Sequence, residues 1–554
     1  MNSYTEIFKP DTLLKEIAVK YQSRYNSKIV AAIVDSEIYD LQSPIGNYKT
    51  FGFIELNSIL GNNIYHRSVL FLLVIAVQKL YPEADVIARY TVNKGLYCSI
   101  EIEDGFTLNM KTKIEEHMRH LIEQKKPIKK IITKKEDALR LFKEKKLIAK
   151  ANLINSMKND DDVSLYVCDC CYDYLYGVML DNTSELGNFK IDYYSNGVLL
   201  KLPEPELNYQ ISSSIKQPKL ESALELSEKE ASILECEYVS DLNRYVRNNK
   251  TGNLIRVSEA LHGKKISKIA DEIANNVNQR HLILIAGPSS SGKTSFSQRL
   301  KVELEANNIH AISISMDDYF VNRKDTPLTP TGEYDYESID ALDVSLLNYH
   351  LKQLLSGKEV SLPRYNFVTG EREKEPATTI SMGNNKLIII EGIHALNEQL
   401  TSSIPRGEKY KIYVSALTPL NLDMHNRIKT TNMRLVRRMV RDYKYRGALP
   451  LKTLQQWPIV RAGEEKNIFP FQEDADVVFN SSLIYEMAAL KKYIIPILQK
   501  VPSDIPEYSV VREIINFCNY FEELKNEDDI PNDSIIREFI SGSCFFDDKG
   551  NLKE

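Results

Sequence analysis

Apolar positions change rhythm near residue 281. Before that point short alternating runs are mixed with helical spacing. Residues 10–22 read as a short helix, Ile29–Val34 as an apolar strand, and Ile38–Leu41 as a second strand after a polar turn. This predicts a small α+β module over 1–58. A second α+β unit, 59–215, opens with the apolar helix Ser68–Leu80 and closes at Val198–Pro203. Residues 203–222, rich in Pro, Ser and Lys, read as a linker, and helical spacing resumes over 226–248 and 262–279. We divide the remainder into a helical linker at 216–260, a domain at 261–500 and a helical tail at 501–554. An acidic stretch, Asn526–Asp529, interrupts the tail.

From 281 onward strands and helices alternate. Leu282–Ala286, Ala311–Ser315, Leu387–Ile390, Lys411–Val414 and Ala475–Phe479 are short apolar or β-branched runs, as parallel strands covered on both faces require. Phe296, Leu300 and Leu304 recur at helical spacing, and Asn307-Asn308 ends that helix. The fold predicted here is a doubly wound α/β domain preceded by two smaller α+β domains, with its ligand at the carboxyl ends of the strands.

The 554 residues, 43% hydrophobic and 27% charged, carry a net charge of −5. That balance argues against a dedicated nucleic-acid binder. We see no uninterrupted apolar run of the length a membrane span needs, so no membrane partner is expected. Seven cysteines in so long a chain suggest reduced thiols, and a cytoplasmic location is expected.

The first strand of the alternating region runs into Gly287-Pro288-Ser289-Ser290-Ser291-Gly292-Lys293-Thr294-Ser295, a P-loop leading into a helix. Backbone N–H groups of such a loop converge on an anion. Lys293 is suited to the β/γ-phosphates and the Thr294 hydroxyl to Mg²⁺. Asp317 and Asp318 follow the second strand, where a carboxylate can accept a proton from an attacking hydroxyl. They also suit a turn cap. Glu391 ends the third strand in a Walker-B-like position suited to Mg²⁺, or is an ordinary strand-end residue. Arg434, Arg437 or Arg438, and Arg441 share a helical face whose guanidinium forks match phosphate oxygens, unless that face is merely solvated. All three constellations in order behind a P-loop favour the functional reading.

The segments GPSSSGKTS, SMDDYF, YDYESIDALD, LPRYNFVTGER, IIIEGIHAL and RLVRRMVRDYKYRG resemble the uridine/cytidine kinase and phosphoribulokinase family over about 281–490. The resemblance implies an ATP- and Mg²⁺-dependent kinase with Asp317 as catalytic base, and Lys293, Thr294 and Glu391 serving phosphate and metal. It puts Arg437, Arg438 and Arg441 on a mobile lid and Arg434 and Arg446 near acceptor or phosphates. Glu337 falls at a ribose-binding position, and Tyr365 and Arg372 at acceptor positions. Two departures stand out: Asn366 replaces the family's aspartate, and Gly370 falls where a histidine helps to read a pyrimidine. A glycine offers no side-chain hydrogen bond, which leaves the base open.

Residues 1 to about 215 resemble the N-terminal region of threonyl-tRNA synthetase, a β-grasp TGS module followed by an editing-like domain. The likeness rests on Tyr65-His66-Arg67-Ser68 and Lys94–Cys98. The family's metal-holding pairs are incomplete: Leu70 stands at the fourth position after His66, and Cys168, Cys170 and Cys171 have no nearby histidine. Their spacing suits buried thiols better than zinc, and retained editing chemistry is not expected. His117 and His120 read as surface residues. The lysines between Lys125 and Lys150 read as a solvated basic face, with RNA contact as the alternative. The joined arrangement is similar to bacterial fusion proteins of the uridine-kinase-like type. We expect a nucleoside kinase, a homo-oligomer. The alternatives are a kinase for a non-nucleoside sugar or sugar phosphate, and an RNA-associated regulatory nucleotide-binding protein.

Overall fold

The computed structural model describes residues 4–157, 162–169, 171–213, 215–329, 332–366, 369–373, 378–383, 387–505 and 507–553. Cys170, and residues 367–368 of the segment LPRYNFVTGER, lie outside them. The helix Leu14–Tyr21 lays Leu14, Ile17, Ala18 and Tyr21 on a three-stranded antiparallel sheet centred on Ile29–Val34, between Glu37–Asp40 and Phe51–Glu55. The next unit is built on a helix that starts well before Ser68 and runs Ile59–Leu80, capped by Ser58 Oγ accepting from Gly61 N at 3.0 Å. Asn62, Asn63, His66 and Arg67 break the apolar run and hid its first turns from the periodicity. The helix is long and apolar enough to cross a membrane, and most of it is buried within the protein. It packs against a four-stranded antiparallel sheet ordered Asp85–Val92, Gly95–Glu101, Gly197–Lys201, Lys190–Tyr194.

Two expectations change here. Lys150 is fully buried and pairs with Asp173 at 2.7 Å and Asp423 at 3.2 Å, so it does not belong to a solvated basic face. The linker expected over 203–222 contains a short hairpin, Pro203–Glu204 with Gln210–Ile211, and the helix Pro218–Ile233 begins inside it. Pro218 sits at that helix's start, where its missing N–H costs nothing.

The remaining core is a five-stranded parallel sheet. Its elements are β1 (Leu282–Ala286), α1 (Lys293–Ala306), β2 (Ala311–Ser315), β3 (Leu387–Glu391), β4 (Lys409–Ser415), α2 (Thr430–Tyr445), α3 (Pro450–Asn467) and β5 (Val477–Asn480). The strand order is β2-β3-β1-β4-β5. Leu282, Leu284, Ile388 and Ile390 fill the core on one face, and Ile283, Ile285, Leu387 and Ile389 fill the other. The continuous apolar runs therefore have the cause the sequence implied. Order reverses at β1, which places the switch-point crevice at its carboxyl end. The tail contains the helix Tyr508–Asn519 and the short turn Arg537–Ile540, with irregular chain between. Rather than standing apart, Phe539 and Ile540 join the core around α2.

Candidate active site at the P-loop

Two glycines allow the loop its course. A Cβ on Gly287 would lie 2.0 Å from the Val414 carbonyl of β4, and Gly292 has φ +82° with the Ile535 side chain of the tail 2.6 Å from where its Cβ would be. Gly292 is the N-cap of α1 and brings no side chain to it, so the first N–H groups of the helix face the crevice.

The loop's carbonyls are tied down from behind. Lys293 Nζ donates to Gly287 O at 2.9 Å and Pro288 O at 3.2 Å. Arg434 Nε donates to Ser289 O at 3.0 Å, and Arg437 Nη1 to Ser290 O at 3.5 Å. Ser481 Oγ donates to Ser291 O at a distance of 2.5 Å. Glu464 Oε1 accepts from Ser289 N at 3.0 Å. The Lys293, Arg434, Arg437 and Ser481 ties turn carbonyls away from the crevice, while Glu464 takes the Ser289 N–H and fixes the loop from its other side.

The strand register gathers the chemical groups. Ile285 of β1 and Ser315 of β2 are both register partners of Glu391 on β3. Thr294 Oγ1 donates to Glu391 Oε1 at 3.0 Å, while Glu391 Oε2 is buried with no hydrogen-bond partner. Burial pushes the Glu391 carboxyl up to about 7, against the pull of Lys293 and of the Thr294 hydrogen bond. Burial also lowers Lys293, with Glu391 opposing. An orphaned carboxylate oxygen beside a threonine hydroxyl is a donor set that suits a hard divalent cation.

Asp317 lies in the turn Met316–Tyr319 directly after β2. The capping alternative belongs to a different residue: Ser315 Oγ accepts from Asp317 N at 3.2 Å. Asp318 takes the Tyr365 N–H at 3.4 Å. The Asp317 side chain opens to the crevice. Crowding by protein atoms pushes its carboxyl up, with Lys293, Arg446 and Arg441 pulling it down. Those three cations and one carboxylate converge from the start of α1, the turn after β2, and the last turns and C-cap of α2.

The arginines of α2 divide into two groups. Arg434 and Arg437 are fully buried, bonded to Glu464 and Glu486 respectively. For Arg437 that placement differs from a mobile lid, and for Arg434 from a group at the acceptor or phosphates: the two guanidinium groups brace the loop. Arg438 donates to Ser289 Oγ at 2.8 Å and pairs with Asp442 at 3.2 Å. Arg441 and Arg446 lie 3.5 and 3.3 Å from the same Asp442. These three border the crevice. Glu337 lies against Gly463 of α3; burial and neighbouring Glu464 push it up to about 7, with Arg438 opposing.

At the acceptor end, Arg372 is engaged on all sides. It donates to Phe320 O at 2.9 Å and Tyr319 O at 2.8 Å, and pairs with Asp343 at 3.0 Å. Tyr365, its register partner, is buried with its ring 5.5 Å from that of Phe320. Gly370 has φ +75°, and a Cβ there would meet the Arg323 guanidinium at 2.6 Å. Arg323 therefore fills the space a side chain at 370 would use, and its Nε donates to Tyr336 at 3.1 Å.

Sequence reasoning missed Glu464, Glu486, Asp442 and the tail's Glu538. Ser295 Oγ donates to Glu538 Oε2 at 2.8 Å, and Arg441 lies 3.5 Å from Glu538 Oε1. In the front half, His66 Nε2 lies 2.7 Å from Pro203 O, and Cys168 and Cys171 are buried register partners. Among the described residues no group of three His, Cys, Asp or Glu side chains gathers to hold a metal.

Residues 282–487 match the model of the phosphoribulokinase/uridine kinase family. A uridine kinase of Staphylococcus epidermidis is 30% identical over 203 residues, 36% of this chain and 88% of that protein. A threonine–tRNA ligase of Bartonella tribocorum is 30% identical over 177 residues, 32% of this chain, and the match spans 27% of the ligase's length. The N-terminal region carries that second similarity. A solved structure of a possible uridine kinase from Bacillus stearothermophilus is 19% identical with a TM-score of 0.26, covering 38% of this chain and 97% of the other.

Proposed function

The chain belongs to the phosphoribulokinase/uridine kinase family of P-loop kinases, and from that premise we propose that it transfers the γ-phosphoryl group of ATP to a sugar hydroxyl of a nucleoside. The observation that carries this reading is Asp317: a carboxylate at the end of β2, relieved of capping by Ser315 and facing Lys293, Arg441 and Arg446. Asp317 accepts the proton of the attacking hydroxyl, or orients it. The raised carboxyl makes it a better proton acceptor than an ordinary aspartate. The N–H groups at the start of α1, behind the Gly292 N-cap, and the Lys293 ammonium hold the donor phosphates. Arg438, Arg441 and Arg446 stabilise charge on the transferring group. Thr294 and Glu391 would hold Mg²⁺, which when bound neutralises phosphate charge.

Arg323, which fills the space beside Gly370, favours a second reading, an anionic acceptor such as a sugar phosphate. The test is ATP consumption by the full chain against a panel of nucleosides, pentoses and pentose phosphates. Acceptor-dependent ADP release is expected, falling on the order of 10³-fold in Asp317→Asn and Lys293→Ala. Acceptor-independent turnover, or a rate unmoved by Asp317→Asn, would overturn the reading.

A further inference from the structure

We propose an anion site between the synthetase-like front half and the kinase half, formed by Arg67, Arg427 and Lys429, that takes the phosphate group of a small molecule. It is separate from the P-loop and does not depend on the kinase reading.

The three cations line one cavity of about 200 Å³, together with Asn63, His66 and Glu513. Arg67 comes from the helix Ile59–Leu80. It passes beneath Gly177, where φ is +107° and a Cβ would lie 2.7 Å from the guanidinium carbon. Arg427 and Lys429 come from the segment that enters α2. That segment is knitted into the front half: Ala88 N donates to Met424 O at 2.8 Å, and Asn421 Nδ2 to Ala88 O at 3.0 Å. The site therefore exists only where both halves meet.

Each cation touches a neutral oxygen. Arg67 donates to Val178 O, Arg427 to Thr91 Oγ1, and Lys429 Nζ to Asn63 Oδ1 at 2.6 Å. Among the described residues none of the three is ion-paired with a carboxylate. Arg67 and Arg427 are half-buried and Lys429 is exposed at the mouth, whereas the fully buried cations of this protein all have carboxylate partners: Lys150 has Asp173 and Asp423, Arg434 has Glu464, and Arg437 has Glu486. Glu513 is the carboxylate of the cavity and offsets part of the charge on Arg67 and Lys429. His66 is held far below the usual histidine range, at about 4, by burial, and His425 is bonded to Asp173 at 2.7 Å. Three cations thus face one carboxylate. Crowding by protein atoms and repulsion from Arg67 and Arg427 lower Lys429 to about 8, and crowding lowers Arg427 to about 10.

Three cations around one cavity, with a single carboxylate among them, repel one another, and an anion between them relieves that repulsion. Two guanidinium forks and an ammonium offer more donors than a carboxylate has lone pairs, and phosphate with its extra oxygens matches them better. A second cavity of about 710 Å³ shares Thr91, Arg427 and Lys429 with the first. The phosphate sits in the smaller chamber, and the larger one has room for the rest of a phosphomonoester. Thr430 and Thr431, which open α2 behind an N-cap lysine with no acceptor side chain, line its wall.

The probe is labelled inorganic phosphate in equilibrium dialysis with the full chain, in parallel with Lys293→Ala, Arg427→Gln and Lys429→Gln. One phosphate per chain is expected to bind at about a millimolar or tighter and to persist in Lys293→Ala. Arg427→Gln and Lys429→Gln should each weaken it about thirtyfold. Binding abolished by Lys293→Ala and indifferent to Arg427→Gln would assign the phosphate to the P-loop and overturn the proposal. No millimolar binding would overturn it also. Thermal unfolding controls for folding. Without phosphate, Lys429→Gln should melt no lower than the parent, because an unpaired charge is gone. Phosphate should raise the parent's melting temperature and leave the variant's unchanged. A variant that melts lower without phosphate, or is stabilised like the parent, counts against the site.

Discussion

Arg372 distinguishes a brace from an acceptor-binding group, and Arg372→Met tests the difference. Its guanidinium holds two consecutive carbonyls, Tyr319 O at 2.8 Å and Phe320 O at 2.9 Å, at the end of the turn that carries Asp317. The Asp343 it pairs with also caps the helix Val344–Leu355 by accepting from Leu346 N at 2.9 Å. Three charge-assisted bonds, in a partly exposed setting where water replaces some of what is lost, sum to about 2 kcal/mol. For a domain of this size that is a fall in melting temperature of roughly 4–8 °C. Activity should respond through geometry. A turn that relaxes by about 1 Å misplaces Asp317 and costs on the order of 10²-fold in kcat. The acceptor KM should stay within about twofold, because binding is not what has been removed. The assay is steady-state ADP release with acceptor varied, beside a thermal scan. A KM raised about tenfold or more with kcat and melting temperature intact would refute the brace and restore Arg372 to the acceptor.

The pH dependence follows from Glu391, whose carboxyl stands at about 7 against an ordinary 4.5. The native state keeps a proton that the unfolded chain releases, so this stability is full below about 4.5 and is lost as pH rises through about 7. Glu391→Gln should therefore gain in melting temperature relative to the parent between pH 5 and pH 8; a constant difference would refute the assignment. Arg437→Met should cost about 3–5 kcal/mol in denaturant titrations, since it leaves Glu486 buried without its partner. Arg438→Met should cost about 1 kcal/mol and act mainly on kcat; equal stability losses in the two would undo the division of α2. Glu538→Gln removes a charge beside Lys293 and Arg441 while keeping an acceptor for Ser295. ADP should bind about threefold tighter by calorimetry, and weaker binding would show that the charge anchors the loop. Gly370→Ala forces a side chain into φ +75° against Arg323 and should cost about 1–2 kcal/mol in denaturant titrations; no loss would mean that Arg323 moves freely.

Legibility from the sequence followed the range of the interactions. The P-loop and the strands β1 and β2 could be read residue by residue, because a glycine pattern and a five-residue apolar run are local signals. The start of β5 was misplaced by two residues, since Ala475 and Asp476 read as apolar-run neighbours. In the fold Asp476 instead accepts the Lys411 N–H through its side chain at 2.8 Å. The long helix of the front half lost its first turns to polar residues whose partners, such as Pro203 for Asn62 at 3.0 Å, are remote in sequence. Lys150 reads as one lysine among many, and its burial depends on Asp423, 273 residues away.

The same limit explains the arginines. Helical spacing puts Arg434, Arg437 or Arg438, and Arg441 on one side of α2, but it does not say what that side meets. The answer lies with Glu464 and Glu486, 30 and 49 residues further on. Those carboxylates convert two apparent phosphate ligands into struts for the loop. A loop whose N–H groups must converge on an anion has carbonyls that point elsewhere and need donors. Lys293, Arg434, Arg437 and Ser481 are those donors. The tail completes the arrangement, with Ile535 seated against Gly292 and Glu538 holding Ser295 and Arg441. Its contact with the loop spans 243 residues and leaves no periodic trace. The electrostatic character of the crevice is thus set by groups behind the loop as much as by those facing it.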